Sequence, residues 1–220
     1  VSCLVSLELT GITVSFNSAP LEWWLSLPII VIYPLLFGCV SYQTATKLAE
    51  HKRRLQVMST RDGMTGVYNR RHWETMLRNE FDNCRRHNRD ATLLIIDIDH
   101  FKSINDTWGH DVGDEAIVAL TRQLQITLRG SDVIGRFGGD EFAVIMSGTS
   151  AESAITAMLR VHEGLNTLRL PNTPQVTLRI SVGVAPLNPQ MSHYREWLKS
   201  ADLALYKAKK AGRNRTEVAA

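Results

Sequence analysis

Residues 134–146 read IGRFGGDEFAVIM, two apolar runs interrupted by Gly138, Gly139, Asp140 and Glu141. Such runs around a Gly-Gly-acid bend predict a β-hairpin, because glycine accepts positive φ and acids prefer water to a core. A hairpin is an antiparallel pair, and on both sides of it helix and strand signals alternate. That order favours an α+β layered fold over a purely parallel doubly wound sheet. Turn chemistry accounts for the glycines and one acid, but it does not require Glu141.

The flanking pattern sets the element order. Residues 62–69 (DGMTGVYN) are turn-rich and precede a helix from 70 to about 88, with Trp73, Met76, Leu77 and Phe81 on one face. Residues 91–98 form a continuous apolar run, typical of a central strand covered on both faces. A short helix over about 101–107 and a longer one over about 112–128 follow. Strands are predicted at 132–137, 142–146 and 176–184, and helices at about 151–165 and 194–211. Neither GxGxxG nor GxxxxGK occurs, which disfavours two common nucleotide-binding folds.

The first 42 residues differ in kind. Residues 21–42 (LEWWLSLPIIVIYPLLFGCVSY) carry one charge, Glu22, and have aromatic residues at both ends. The run matches the roughly 20 residues of a bilayer crossing and predicts a transmembrane helix, a buried helix of a soluble protein being the alternative. Lys47, Lys52, Arg53 and Arg54 follow, which puts the C-terminal side in the cytoplasm. Residues 1–16 read as the end of an earlier span, so the chain is expected to be the C-terminal part of a longer multi-pass protein. Residues 43–60 form a connector helix, either a spacer or a coiled coil, before a domain over 61–220.

Charge narrows the partners: 25 Lys and Arg against 22 Asp and Glu leave a net +3, too mild to argue for nucleic acid. The three cysteines have neither disulfide-framework nor zinc spacing. Chemistry is therefore sought among the acids. Asp97 and Asp99 are two apart on a strand and share a face at its end, and Asp140 and Glu141 stand on a hairpin tip that could pair beside it. Crowded carboxylates repel one another, and a dication relieves the repulsion; hard oxygen ligands suit Mg²⁺, which shares its shell with phosphates. The other reading is four separate solvated turn acids. Asp99, His100, Phe101 and Lys102 lead into a helix N-terminus, which favours anions. Lys209 and Arg213 share a helix face and could grip a phosphate tail, or simply complement the helix dipole.

These residues carry a family resemblance. Gly138-Gly139-Asp140-Glu141-Phe142 resembles the signature of the GGDEF-domain diguanylate cyclases. Asp62-Gly-Met-Thr65-Gly66 with Asn69-Arg70-Arg71 resembles that family's opening motif, and Asp97 through Asp106 its metal strand and phosphate loop. Gly109-His110-x-x-Gly113-Asp114 and Ala201 through Asn214 complete the likeness, over residues 60–216. The resemblance implies a five-stranded, mainly antiparallel sheet wrapped by helices, akin to the palm of nucleotide cyclases and polymerases. It implies condensation of two GTP into cyclic di-GMP with release of two pyrophosphates, by a homodimer in which each domain holds one GTP.

Residue by residue, the resemblance implies that Asp97, the Ile98 carbonyl and Asp140 hold Mg²⁺, two ions per site, with Mn²⁺ as a substitute. Asn105 and Asp114 bind the guanine edge, and His110 lines the nucleotide site. His100, Phe101 and Lys102 bind phosphates, and Lys102 offsets charge in the transition state. Lys209 and Arg213 hold the β and γ phosphates. Asp140 takes the attacking hydroxyl's proton, with Glu141 supporting the geometry. Arg129 and Asp132 resemble the family's RxxD inhibitory site for cyclic di-GMP, a helix cap being the other reading. The location implied is the bacterial inner membrane, with the bilayer as partner and the catalytic domain in the cytoplasm. A non-catalytic GTP or cyclic di-GMP binding module is the alternative.

Overall fold

The computed structural model describes residues 8–9, 12–13, 32–48, 60–171, 173 and 175–219. The chain divides into two units, Val1–Met58 and Ser59–Ala220. In the first, β1 (Glu8–Leu9) pairs antiparallel with β2 (Ile12–Thr13), where the sequence suggests the end of a span. Helix α1 covers the described residues 32–48, with Tyr33, Leu36, Phe37 and Val40 exposed. Among the described residues no helix is long and apolar enough to cross a membrane, so the predicted transmembrane helix is not borne out there. The earlier part of that run, 21–31, and the later connector, 49–59, lie outside the described residues.

The second unit is a three-layer arrangement of helices on both faces of one mixed sheet. Its elements are β3 (Tyr68–Asn69), α2 (Arg70–His87), β4 (Ala91–Ile98), α3 (Phe101–Trp108), α4 (His110–Thr127), β5 (Val133–Gly138), β6 (Glu141–Ser147), α5 (Ala151–Thr167), β7 (Ile180–Pro186), α6 (Tyr194–Lys210) and β8 (Thr216–Val218). The sheet order is β3-β5-β6-β4-β7-β8. It has six strands rather than the five expected. The four central strands are antiparallel, while the short edges β3 and β8 pair parallel to β5 and β7.

Period 2 explains the layers. Even-numbered residues Leu94, Ile96, Phe142, Val144, Val182 and Val184 join the core beneath α4 and α5, which contribute Ile117, Leu120, Met158 and Val161. Odd-numbered Leu93, Ile95, Ala143 and Ile145 face α2 and α6 through Trp73, Leu77, Trp197, Ala201 and Leu205. All eight residues of β4 are buried, as its unbroken apolar run requires. Both large indoles are satisfied: Trp73 Nε1 donates to the Val133 carbonyl at 3.0 Å and Trp197 Nε1 to that of Ala185 at 2.8 Å. The predicted strand over 176–184 begins later, at Ile180, because its partner β4 ends at Ile98, which is paired with Ile180.

Candidate active site

Register gathers the acids. Asp97, next to last in β4, is paired with Glu141 of β6 on one side and Ser181 of β7 on the other. One residue on, the Ile98 N–H donates to the Asp140 carbonyl at 3.3 Å. Asp97, Ile98, Asp140 and Glu141 therefore meet at one end of the central strands. Odd numbering turns Asp97 towards α6, where Lys209 Nζ lies 2.7 Å from its Oδ2. Asp97 is 7% exposed. Burial drives its pKa up, the Lys209 bond and charge pull it down, and the nearby Asp140 and Glu141 raise it further; the net shift is upward.

This end of the sheet calls for positive charge, and Lys209 supplies it. Among the described residues no group of three or more His, Cys, Asp or Glu could hold a metal. A cation would thus take Asp97, Asp140 and a main-chain carbonyl, and complete its shell with water and phosphate oxygens. That set fits Mg²⁺, which favours few protein ligands.

The hairpin tip is clamped by a residue the sequence reading overlooks. A register shift between Arg136 and Gly138 precedes the turn, where Gly139 takes φ 35°. Arg136 Nε and Nη2 donate to the Gly139 carbonyl at 3.1 and 2.8 Å, and its Nη1 meets Asp62 Oδ1 at 3.1 Å. Asp62 also accepts from the Thr65 hydroxyl at 2.6 Å and the Thr65 N–H at 3.0 Å. Burial works to raise the Asp62 pKa, but the Thr65 and Arg136 contacts outweigh it and the net shift is downward. The opening motif thus braces the signature bend through one guanidinium. A lone Arg two residues before Gly138 was the available signal.

The nucleotide-binding candidates cluster on α3 and α4. His100 has φ 57° and its side chain makes no capping bond, which leaves α3 N–H groups open to an anion. Lys102 is exposed beside it. The ring of Phe101 packs on the core, so only its main chain is available to a phosphate. Asn105 Oδ1 is buried without a hydrogen-bond partner, a vacant acceptor where guanine N–H groups are expected. Gly113 permits this placement, since a Cβ there would run into Asn105 Oδ1 and come 3.2 Å from Phe101 Cζ. His110 opens α4, and Asp114, exposed on that helix, lines a cavity of about 600 Å³ with Val118, Leu168 and Leu170. Arg213 lies in the turn after α6 with φ 62°.

Asp99 departs from the expectation of an open site acid. It is 6% exposed, and both its oxygens are engaged within the protein: Ser181 Oγ donates to Oδ1 at 2.7 Å and the Asn214 N–H to Oδ2 at 2.8 Å.

Arg129 and Asp132 lie at the other end of β5 from the signature bend. The Asp132 carboxylate accepts from the Arg129 N–H at 2.9 Å, and the Asp132 N–H donates to the Arg129 carbonyl at 3.0 Å. Asp132 is 9% exposed and its Oδ1 has no partner. Burial raises its pKa against the opposing Arg129 bond and charge.

A mixed sheet with its signature hairpin against a buried Asp, and a basic helix end over the same carboxylate, defines a GGDEF-type α+β domain. A family model described as "Diguanylate cyclase, GGDEF domain" matches residues 59–215, and the chain belongs to that family. It is 99% identical over 220 residues to the probable diguanylate cyclase DgcC of Escherichia coli K12, covering all of this chain and 59% of that protein. The chain thus spans under two thirds of that relative. Diguanylate cyclase DosC of Escherichia coli K12 is 35% identical over 159 residues, 71% of this chain and 34% of DosC. The GGDEF domain of DgcB from Caulobacter crescentus, crystallised with c-di-GMP, superposes with TM-score 0.70 at 30% identity, covering 73% of this chain and 96% of that one.

Proposed function

We propose that this chain condenses two GTP into cyclic di-GMP. The observation that carries the reading is the buried Asp97, neutralised by Lys209 and set beside Asp140 and Glu141 at the signature bend. Each 3′-hydroxyl attacks the α-phosphorus of the opposite GTP, a P–O bond forms, and the bond to pyrophosphate breaks. Twice repeated, this closes the ring. Asp140 accepts the hydroxyl proton and Glu141 keeps the bend's geometry. Asn105 and Asp114 read guanine, with His110 at the nucleotide's edge. The N–H groups from His100 to Lys102, the Lys102 ammonium, Lys209 and Arg213 balance the triphosphate and leaving pyrophosphate. Asp97, the Ile98 carbonyl and Asp140 would hold Mg²⁺, which supplies further charge neutralisation at the phosphates.

Each domain holds one GTP, so two must face each other and a homodimer is part of the mechanism. Anchoring in the bacterial inner membrane, with this domain in the cytoplasm, rests on the apolar composition of 21–42 and the basic residues after it. The test is direct: the purified chain with GTP and Mg²⁺ should form cyclic di-GMP. No product at high protein concentration, with nucleotide binding intact, would replace this reading by a binding module.

Three variants extend it. Arg136→Ala frees the Gly139 carbonyl and unpairs Asp62, and should cut cyclic di-GMP formation about tenfold or more. Arg136→Lys, with one point donor in place of a fork, should recover only part of it. A progress-curve assay checks both, and a fully active Lys variant would contradict the fork's role. Product feedback is assigned to Arg129 and Asp132, on the strength of the vacant Asp132 Oδ1 and the exposed Arg129 side chain. Arg129→Ala should weaken inhibition by added cyclic di-GMP about tenfold or more with the initial rate unchanged. Unaltered inhibition would leave this turn as a helix end.

A further inference from the structure

We propose that Asp99 is a positioning residue that locks the Arg213 turn to the metal strand, and so sets the reach of the triphosphate grip; this rests on the cyclase reading above. Asp99 follows β4 directly and precedes His100, so its main chain leads from the metal acids into the α3 N-terminus. Its own N–H is tied to the Arg179 carbonyl at 2.9 Å. Its side chain crosses to the far end of the grip. One oxygen takes the Ser181 hydroxyl of β7, and the other takes the N–H of Asn214, the residue next to Arg213.

A carboxylate this buried is costly unless fully bonded. Among the described residues no cation forms a salt bridge with Asp99. The bond it makes instead stabilises a turn that needs help. Arg213 and Asn214 both adopt left-handed backbone, φ 62° and 46°, a region disfavoured for side-chain-bearing residues. Other bonds also hold the turn: the Arg213 N–H donates to the Ala208 carbonyl at 3.0 Å, Arg215 Nη1 donates to the Ala211 carbonyl at 2.9 Å, and the Val182 N–H donates to the Arg215 carbonyl at 2.9 Å. From α5, His162 Nε2 meets Thr216 Oγ1 at 3.3 Å and braces the start of β8. Of these contacts, only the Asn214 bond runs from the turn to the strand that carries Asp97. Without it Arg213 stays attached to α6 but loses its fixed offset from the phosphate end of α3. The affected part of the ligand is therefore the β and γ phosphates, not the base.

The experiment compares nucleotides that differ only in those phosphates. In the full chain Asp99→Ala should raise KM for GTP about tenfold, chiefly through loss of the charge-assisted bond to Asn214, with a smaller change in kcat. The inhibition constant of GMP should move by less than about twofold. Asp99→Asn should stay within about threefold of the parent, because its amide oxygen can accept from Asn214 and its amide N–H can donate to Ser181 Oγ. Ser181→Ala, which keeps the Asn214 bond, should raise KM for GTP by about threefold or less, and a loss as large as that of Asp99→Ala would overturn the role given to the Asn214 bond. Equal losses for GTP and GMP would overturn the proposal in favour of a general structural role. An Asp99→Asn variant as inactive as Asp97→Asn would overturn it in favour of direct metal ligation. A parent chain that makes no cyclic di-GMP fails the cyclase reading instead. Calorimetric affinities for GTP and GMP would then still decide whether Asp99 sets the phosphate grip.

Discussion

Asp97→Asn is expected to lower cyclic di-GMP synthesis by about 10³-fold or more while leaving the metal-free chain at least as stable as the parent. The loss follows from removing the buried charge that faces the cation site. The stability result follows from the same charge seen from the folding side. Burial, reinforced by Asp140 and Glu141 and opposed by Lys209, raises the Asp97 pKa above the ordinary carboxylate range. A group with a raised folded pKa binds its proton more tightly when folded. Its contribution to stability is therefore complete below the unfolded pKa and is lost as pH rises through the folded one.

Once ionised, Asp97 is a net cost that the site bears for its function, and asparagine removes it. Lys209, whose side chain is 33% exposed, can turn to water when its partner is neutral. Melting curves taken upward in pH from the ordinary carboxylate value of 3.8 should show a falling limb in the parent that the variant lacks. Added Mg²⁺ with GTP should raise the melting temperature of the parent far more than that of Asp97→Asn. A variant that melts well below the parent without metal would mean that Asp97 is held for the fold.

Legibility in the sequence followed the range of each signal. The β4 run, the hairpin and the helical face of α2 are local periodic patterns, and they placed the central layers and put Asp97 within reach of Asp140. The edge strands β3 and β8 have two and three residues, too few for a period-2 pattern, and Tyr68–Asn69 lies in a stretch that reads as turn. The start of β7 depends on where β4 ends, a fact of register between distant segments. Asp99 carried the correct residue type for a site acid. Only the placement of Ser181 and Asn214, 82 and 115 residues away, shows that its oxygens are already taken. The bracing role of Arg136 was likewise not legible, although the residue sits next to the motif, because its partner Asp62 is 74 residues distant. Bracing residues of this kind obey no spacing rule, whereas the acids they hold in place sit in short motifs.

Gly183→Ala should be a strongly damaging small substitution, although no motif marks it. Gly183 lies in the middle of β7 on the face towards α6. A Cβ there would run into the Ala201 carbonyl oxygen and the Leu205 N, with Leu205 Cα at 2.9 Å. These are helix main-chain atoms, so no rotamer change relieves the contact and α6 itself must move. The helix is seated this closely because small residues, Ala201, Ala204 and Ala208, form its fully buried stripe. Displacement would strain the Trp197 bond to Ala185 and shift Lys209 and the Arg213 turn away from Asp97 and Asp99. A cost of about 3 kcal/mol is expected, or about 6–12 °C in melting temperature for a domain of this size, with KM for GTP raised about tenfold in whatever fraction folds. Gly113→Ala provides the contrast. There the obstacle is the end of the Asn105 side chain, which can swing aside, so stability should fall less while guanine recognition is lost. If the two alanines cost the same stability, the close seating of α6 on β7 is not what holds the phosphate grip in register with the metal strand.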